Sequence, residues 1–347
     1  MKTKIFPRRY QHKTKKKQKI FFRVPLRPPC YNFSSLACEF IRTCSVTKLK
    51  ASDLEPQNYP KLFQESDSSA IRAQRKYFWL VRLKIVLLLI TAVIASVAWN
   101  QIPEFRTPAV VVLATILVSA MVISAIMDTK KFDHLWFRSR AIAESVKTES
   151  WSFMMKVGPY DSSITDSEAE TRFLDRLKEM LQRQPLICGE LALCSEGGVP
   201  ITPQMRLIRN ENLKSRRTFY IQNRISDQKL WYGKKAKLNK SQEFKWFIIA
   251  WILQLGAVAF AILVIVLDEI FINPVGIITT AGASALSWMH ARNYQELAQS
   301  YGLILQELSL LEEKAKKASS EEELSEIVED TEKTISREHT IWLARRL

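Results

Sequence analysis

Four long apolar runs alternate with charged, amphipathic stretches along the chain, and none of these runs contains Asp, Glu, Lys or Arg. They cover residues 85–103, 107–127, 246–267 and 270–289, which are 19, 21, 22 and 20 residues. At a rise of ~1.5 Å per residue, each run is long enough to cross a hydrocarbon core of ~30 Å as a helix. Because a helix satisfies its backbone hydrogen bonds internally, we expect four membrane spans rather than four core helices of a large soluble protein.

The charges that flank these runs are asymmetric. Five basic residues at positions 72–84 precede the first span, whereas the connector at 100–106 contains a single one. Five lysines at positions 234–245 precede the third span, and the connector at 268–273 has no basic residue. By the positive-inside rule, both connectors face outward and both termini face the cytoplasm. The prediction is an all-α, multi-pass protein of the cell (inner) membrane, with four transmembrane helices as two hairpins extended by long cytoplasmic helices.

We expect four parts along the chain. Residues 1–56 form a basic, disordered tail, 57–186 a first two-span module, 187–212 a linker rich in proline and glycine, and 213–347 a second two-span module. The exit helix of the second module carries a heptad-like apolar seam, typical of a coiled coil, and residues 315–320 would fold it back on a last helix. The seam consists of Tyr294, Leu297, Tyr301, Ile304, Leu308 and Leu311.

The net charge of +16, from 51 Lys+Arg and 35 Asp+Glu, is concentrated in the tail. The first 50 residues contain 14 basic residues and a single acid, Glu39. A basic excess confined to one tail does not predict a nucleic-acid-binding protein, so nucleic acid is not an expected partner. We expect the tail to be attracted to anionic lipid, with RNA as the less favoured ligand, unless translation starts downstream of it.

The chain lacks the patterns that catalysis or a bound cofactor would require. Its four histidines and five cysteines show no H-E-x-x-H or C-x-x-C spacing, and no glycine-rich phosphate loop or G-x-S-x-G elbow occurs. The sequence therefore predicts a protein that is not an enzyme and that holds no metal and no cofactor. The cysteines fall on the predicted cytoplasmic side, where thiols stay reduced. They are Cys30, Cys38, Cys44, Cys188 and Cys194.

Small and hydroxylated residues form one narrow face of the fourth span, at steps of four, four and three residues. Such a face favours close approach of helix backbones, and the sharper alternative is that it lines a water-filled path in a homo-oligomer. A shorter hydroxylated face lies in the second span. The third span contains one amide side chain near its middle, and we favour a hydrogen bond from this amide to a neighbouring helix over contact with an ion. No charged residue lies at membrane depth, which disfavours a proton-coupled transporter. The candidate residues are Gly276, Thr280, Ser284 and Ser287, then Thr115 and Ser119, and Gln254.

Motifs on both sides of each hairpin carry a family resemblance. They are the stretches 59–63, 70–77 and 136–151 in the first module, and 220–232 and 338–342 in the second. These stretches resemble the SLATT family, the bacterial two-span effector domains associated with SMODS nucleotidyltransferases and SLOG domains. The two modules resemble different subgroups, and together the resemblance covers about residues 57–346.

The resemblance implies a membrane effector of a bacterial nucleotide-signalled conflict system, which acts against phage by forming or gating a pore. The alternative is a non-conducting membrane scaffold whose cytoplasmic helices recruit a signalling partner. No nucleotidyltransferase is fused to these modules, so the nucleotide signal would come from a separately encoded enzyme. The expected partners are therefore membrane lipid, further copies of the chain, and that nucleotidyltransferase or its nucleotide product.

Overall fold

The computed structural model describes residues 54–183, 198–266 and 272–346, with side chains described as far as residue 337. Within these ranges the chain is all-α, as predicted, apart from one isolated antiparallel β-bridge between Val97 and Ile272. The first 53 residues and all five cysteines lie outside the described residues, so the expectations for the basic tail and for the thiols stay predictions.

The first hairpin consists of helices α1 (Lys61–Ala95), α2 (Pro103–Lys130) and α3 (Phe132–Met155). Helix α1 joins the amphipathic lead-in to the first span without a break, and α2 packs back against it. Lys131 has a left-handed backbone, with φ 44°, and separates α2 from its extension α3. Beyond the span α3 packs along α1, where the Arg140 guanidinium contacts Asp67 at 2.6 Å and Glu144 at 2.5 Å.

The second hairpin repeats this arrangement. Helix α6 (Leu213–Tyr220) continues through one turn of π-helix into α7 (Asp227–Val266), which carries the third apolar run. Helix α8 (Pro274–Arg292) packs back against α7, and α9 (Tyr294–Lys317) follows as its extension. Asn293, with φ 50°, separates the two as Lys131 does in the first hairpin, and asparagine tolerates this left-handed backbone well. The remaining helices are α4 (Asp166–Gln182), α5 (Pro203–Arg209) and α10 (Glu321–Arg346).

Three of the four predicted spans are long and apolar enough to cross a membrane. They lie in the helical segments Lys61–Ala95, Pro103–Tyr160 and Leu213–Val266 of the described chain. Helix α8 is not among them, because its glycine, threonine, serine and histidine residues make its 19 residues less apolar than the other three. It nevertheless lies between α1 and α7 and packs against both.

The connector of the first hairpin meets Ile272 and Asn273, the described end of the second connector. The backbone N–H of Asn273 donates to the carbonyl of Ser96 at 2.9 Å, next to the bridge between Val97 and Ile272. Both hairpin tips therefore lie together, and both sets of helical extensions lie at the opposite end. This common orientation of the hairpins agrees with the charge pattern, which assigned both connectors to the same side.

The extensions of both hairpins contribute to a shared hydrophobic core. The Trp151 ring of α3 is fully buried and packs against Tyr220 of α6, with ring centroids 5.3 Å apart. The predicted linker also contributes, because α5 and the residues before it bury Ile201, Met205 and Ile208. Residues 184–197 of that linker region lie outside the described chain.

The apolar seam predicted for the last exit helix is buried. Tyr301, Ile304, Leu308 and Leu311 are at most 8% exposed, and Leu297 packs against them at the edge. Helix α9 uses this seam chiefly to pack against α7, with α10 as a second neighbour, so a heptad-paired coiled coil is not evident. On α10, Leu324, Val328, Thr331 and Ile335 form a second buried stripe.

Candidate membrane site

The predicted polar face of the fourth span lies on an open side of α8. Gly276 and Ser287 are exposed, while Thr280 and Ser284 are half-buried. A Cβ added at Gly276 would meet no atom within 4 Å. Within the described part of the chain, the hydroxyls of Thr280, Ser284 and Ser287 form no hydrogen bond. One copy of the protein thus leaves this face without a partner.

A different face of α8 makes the close helix contact. Gly282 lies against α7, where an added Cβ would sit 3.6 Å from the side chains of Leu253 and Gln254 and 3.9 Å from the carbonyl oxygen of Ala250. Ala285 is buried near it. Small residues do allow close helix approach here, as the sequence pattern suggested, but the residue at the contact is Gly282 rather than Gly276.

The remaining candidate residues lie on the surface of their helices. The hydroxyl of Thr115 donates to the carbonyl of Val111 at 2.8 Å, and that of Ser119 donates to Thr115 at 2.8 Å. Both are exposed, and both hydroxyls are satisfied within α2. Gln254 is exposed on α7, although its Cγ lies against the backbone of α8 at Gly282. These residues are not gathered with the α8 face into one site in a single copy.

Aromatic and arginine side chains, which no sequence pattern indicated as a site, join the two hairpins where the apolar runs meet their extensions. The Arg292 guanidinium carbon lies 4.1 Å from the Phe78 ring centroid, and that of Arg82 lies 5.3 Å from the Trp288 ring. The two rings themselves are 6.0 Å apart. Trp136 of α3 also packs on Phe78, with ring centroids 5.6 Å apart. The visible sequence signal was the tryptophan residues at span ends, which are typical of the membrane interface.

A second charged cluster joins the hairpins inside the core that their extensions form. Arg224 forms a two-point contact with Glu332, at 2.8 and 2.5 Å, and both side chains are buried. Tyr220 donates to the same carboxylate at 3.0 Å and Thr148 of α3 at 2.8 Å. This cluster lies in the extension, more than 20 residues before the apolar run at 246–267. Burial raises the pKa of Tyr220, and the Glu332 charge raises it further, so the phenol stays a hydrogen-bond donor.

The described residues offer no metal site. No group of three or more His, Cys, Asp or Glu side chains in the described ranges could hold an ion. A surface cavity of about 480 Å³ lies between the start of α1 and the start of α5, and amide side chains such as Gln64 and Gln204 line part of it. Neither observation supplies the nucleophile, base and oriented partner that a catalytic site combines.

Two protein-family models match the chain. Residues 60–217 match SMODS and SLOG-associating 2TM effector domain 3, and residues 220–342 match SMODS and SLOG-associating 2TM effector domain 1. The chain belongs to the SLATT family. It carries two SLATT domains of different subgroups in tandem, as the sequence motifs indicated. No curated protein and no solved structure matches it.

The family match indicates the class of protein to which the two hairpins belong. SLATT domains are two-transmembrane effector domains associated with SMODS and SLOG proteins, so this chain is a membrane effector. The first SLATT domain includes the residues predicted as a linker, and the boundary between the domains falls within the helical column formed by α6 and α7. The arginine–aromatic contacts of Phe78 and Arg292 therefore join the first SLATT domain to the second.

Proposed function

We propose that several copies of this SLATT protein assemble into a pore, with the open polar face of α8 lining a water-filled path. The observation that carries the proposal is the set of three unpaired hydroxyls on that face. In the proposed setting, a nucleotide signal raised during phage infection opens the pore, and loss of the membrane barrier stops growth of the infected cell. The protein acts as an effector and not as an enzyme.

A comparison of hydroxyls within the membrane region supports this assignment. Thr91, Thr115 and Ser124 each donate to the carbonyl four residues earlier, at 2.8 to 3.0 Å. Such back-bonding lets a hydroxyl face lipid without leaving its proton unpaired. Thr280 and Ser284 form no such bond in the described chain, so water or another helix is the better neighbour for them.

One copy supplies a single α8, so a pore lined by this helix requires several copies. Helix α8 packs against α7 and α1, and its polar face points away from the contact with α7. If each copy contributes one α8, a ring of copies would turn these faces toward a common axis. Because the apolar segment of α8 is less hydrophobic than those of the other three helices, α8 is also the helix best suited to contact water rather than lipid.

The proposed location is the inner membrane, with both termini in the cytoplasm. The basic residues before the first and third apolar runs support this orientation by the positive-inside rule. A separately encoded nucleotidyltransferase, or its product, would then reach the cytoplasmic extensions. Membrane lipid and further copies of the chain are the other proposed partners.

A non-conducting scaffold is the second candidate, and one observation favours it. Leu303 and Leu310 on α9 are 58% and 69% exposed and lie one heptad apart, so they occupy the same side of the helix. This pair offers an apolar surface on the extension that could recruit a signalling partner. The same surface could also hold copies of the chain together in a pore, so it does not by itself separate the two functions.

Leakage of dye from liposomes distinguishes the pore from the non-conducting scaffold. The double variant Thr280→Leu, Ser284→Leu removes two hydroxyls and adds bulk on the proposed lining, while leucine favours insertion by ~0.5 kcal/mol per residue. We expect the wild type to release dye with the candidate nucleotide signal added, and the double variant to release far less. Thr115→Leu, Ser119→Leu is the matched control, because those hydroxyls are satisfied within α2. Wild-type protein that never releases dye would favour the scaffold.

A further inference from the structure

Three cationic side chains from both SLATT domains lie together where the spans join their extensions. Arg82 of α1 and Arg292 of α8 lie against the same ring, with guanidinium carbons 5.3 and 5.0 Å from the Trp288 centroid. Arg82 is close enough to Arg292 for their positive charges to repel, and Lys235 of α7, whose Nζ lies 5.8 Å from the Trp231 ring centroid, adds a third charge near Arg292. Within the described part of the chain, none of the three forms an ion pair with a carboxylate. An anion bound among these like charges would reduce their mutual repulsion.

Arg292 is the most buried of the three cationic side chains. The residue is 8% exposed, and its Nε–H has no hydrogen-bond partner. The Phe78 ring covers the guanidinium at 4.1 Å, and Tyr294 is its polar neighbour. A buried N–H without an acceptor is unfavourable, so the site lacks one acceptor atom. Arg82 is exposed, which leaves the cluster open on its side of α1.

The position of the cluster indicates what kind of anion reaches it. Arg82 lies three residues before the first apolar run, at 85–103, and Arg292 three residues after the last, at 270–289. The Trp246 and Trp288 rings lie 6.4 Å apart beside it, and indole rings favour the head-group layer of a bilayer. At that depth the abundant anionic oxygens are those of phospholipid phosphates.

We propose that Arg82, Lys235 and Arg292 bind the phosphate of one anionic phospholipid, and that this lipid bridges the two SLATT domains. Guanidinium groups donate two parallel N–H bonds to phosphate oxygens, and the lysine adds a flexible point charge. A soluble phosphate offers the same oxygens but has no acyl chains to remain beside the spans. The site does not depend on whether the protein conducts ions.

Native mass spectrometry of the full chain in a neutral detergent micelle tests this proposal. Such a micelle has no anionic surface, so a lipid that stays bound is held by a site rather than by general attraction. With phosphatidylglycerol added, we expect the wild type to retain one lipid molecule, and with phosphatidylcholine none. Inorganic phosphate is the competitor that separates a lipid site from a soluble-phosphate site, and we expect it not to displace the lipid.

Variants that remove positive charges show which side chains bind the lipid. Arg82→Gln should weaken phosphatidylglycerol retention about fivefold, the effect of one cation beside an anionic head group. Arg82→Gln with Lys235→Gln should weaken it further, and neither change touches the buried contact between Arg292 and Phe78. Lys84→Gln is the matched control, because it removes the same charge two residues along α1, about 200° around the helix. Circular dichroism confirms that each variant is folded.

The outcomes are distinct. Weaker lipid retention in Arg82→Gln, with wild-type retention in Lys84→Gln, would support the site. Equal retention by those two variants, equal retention of phosphatidylcholine by the wild type, or displacement of the lipid by inorganic phosphate would each overturn it.

Discussion

The Arg292 guanidinium carbon of α8 lies 4.1 Å from the centroid of the Phe78 ring of α1. One helical turn along, α1 supplies the arginine and α8 the ring, because the Arg82 guanidinium carbon lies 5.3 Å from the Trp288 centroid. Each SLATT domain thus supplies one arginine and one aromatic ring, four residues apart on α1 and on α8. A cation–π contact contributes about 0.5–1 kcal/mol when exposed and about 2 kcal/mol when desolvated. Because Arg292 is buried and Arg82 is exposed, the Phe78 pair is the stronger link between the domains.

A double-mutant cycle measures this link. Phe78→Leu removes the ring and Arg292→Met removes the charge, and each puts a large apolar side chain in place, so the cycle reports the cation–π contact more than lost volume. We expect a coupling free energy of about 1–2 kcal/mol for unfolding in detergent. The cycle of Arg82→Met with Trp288→Leu should give a smaller coupling. Additive effects at Phe78 and Arg292 would contradict the account.

The buried pair of Arg224 and Glu332 should be costly to break from one side. Glu332→Gln leaves the Arg224 guanidinium with uncompensated charge in a dry core, where its Nη1 already lacks a partner. We expect a loss of about 3–5 kcal/mol in the free energy of unfolding. The double variant Arg224→Met, Glu332→Leu should recover much of that loss, because no charge is then left buried.

An exposed ion pair on the same helix provides the comparison. Lys333 contacts Glu329 at 3.4 Å, with side chains 72% and 44% exposed. Lys333→Gln should therefore leave thermal unfolding almost unchanged. A Glu332→Gln protein as stable as Lys333→Gln would show that the Arg224 contact does not stabilise the joint core of the two domains.

The contact between the connectors predicts a specific disulfide. Val97 and Ile272 face each other in an antiparallel bridge, and Cα atoms so paired lie about 4.5–5.5 Å apart, within the range of a disulfide. In a background with the native cysteines replaced by serine, Val97→Cys with Ile272→Cys should oxidise readily. Non-reducing peptide mapping detects the bond. Val97→Cys with Val118→Cys, about four turns into α2, should not form it.

Cysteine labelling in intact cells tests the orientation. Residues Gln101 and Asn273 are exposed in the two connectors, so cysteines placed there should react with a maleimide that cannot cross the membrane. The five native cysteines should not react, because all are predicted to be cytoplasmic. Protection of both connector cysteines, with labelling of the native ones, would reverse the topology.

The hydrophobic pattern predicted the helices well, because uncharged runs and periodic seams follow directly from the need to bury apolar surface. The described residues are all-α, as predicted, whereas the left-handed break at Lys131 between α2 and α3 was not predicted. The breaker residues at 184–204 led to a linker being predicted, yet Met205 and Ile208 lie in the core. Proline and glycine mark turns locally, whereas burial of the next helix depends on distant partners in α3 and α4.

The candidate residues were harder to predict. Periodicity alone identified a small, polar face of α8, but the helix contact with α7 uses Gly282, which lies outside that face. Which side of a helix meets a neighbour depends on the complementary surface of the other helix, and a single sequence does not contain that relationship. The Phe78 and Arg292 pair likewise joins residues more than 200 positions apart, a separation that no local pattern spans.

Current across a planar bilayer, with a thiol-reactive cation added, tests the central claim that α8 lines a pore. In the cysteine-free background, Ser284→Cys places one thiol on the proposed lining, and Val118→Cys places one on the exposed surface of α2. With the candidate nucleotide signals added in turn, we predict channel currents that fall when the reagent modifies Cys at 284 and stay unchanged for the α2 variant. Absence of current under every signal, or current that the reagent leaves unchanged at 284, would contradict a pore lined by α8.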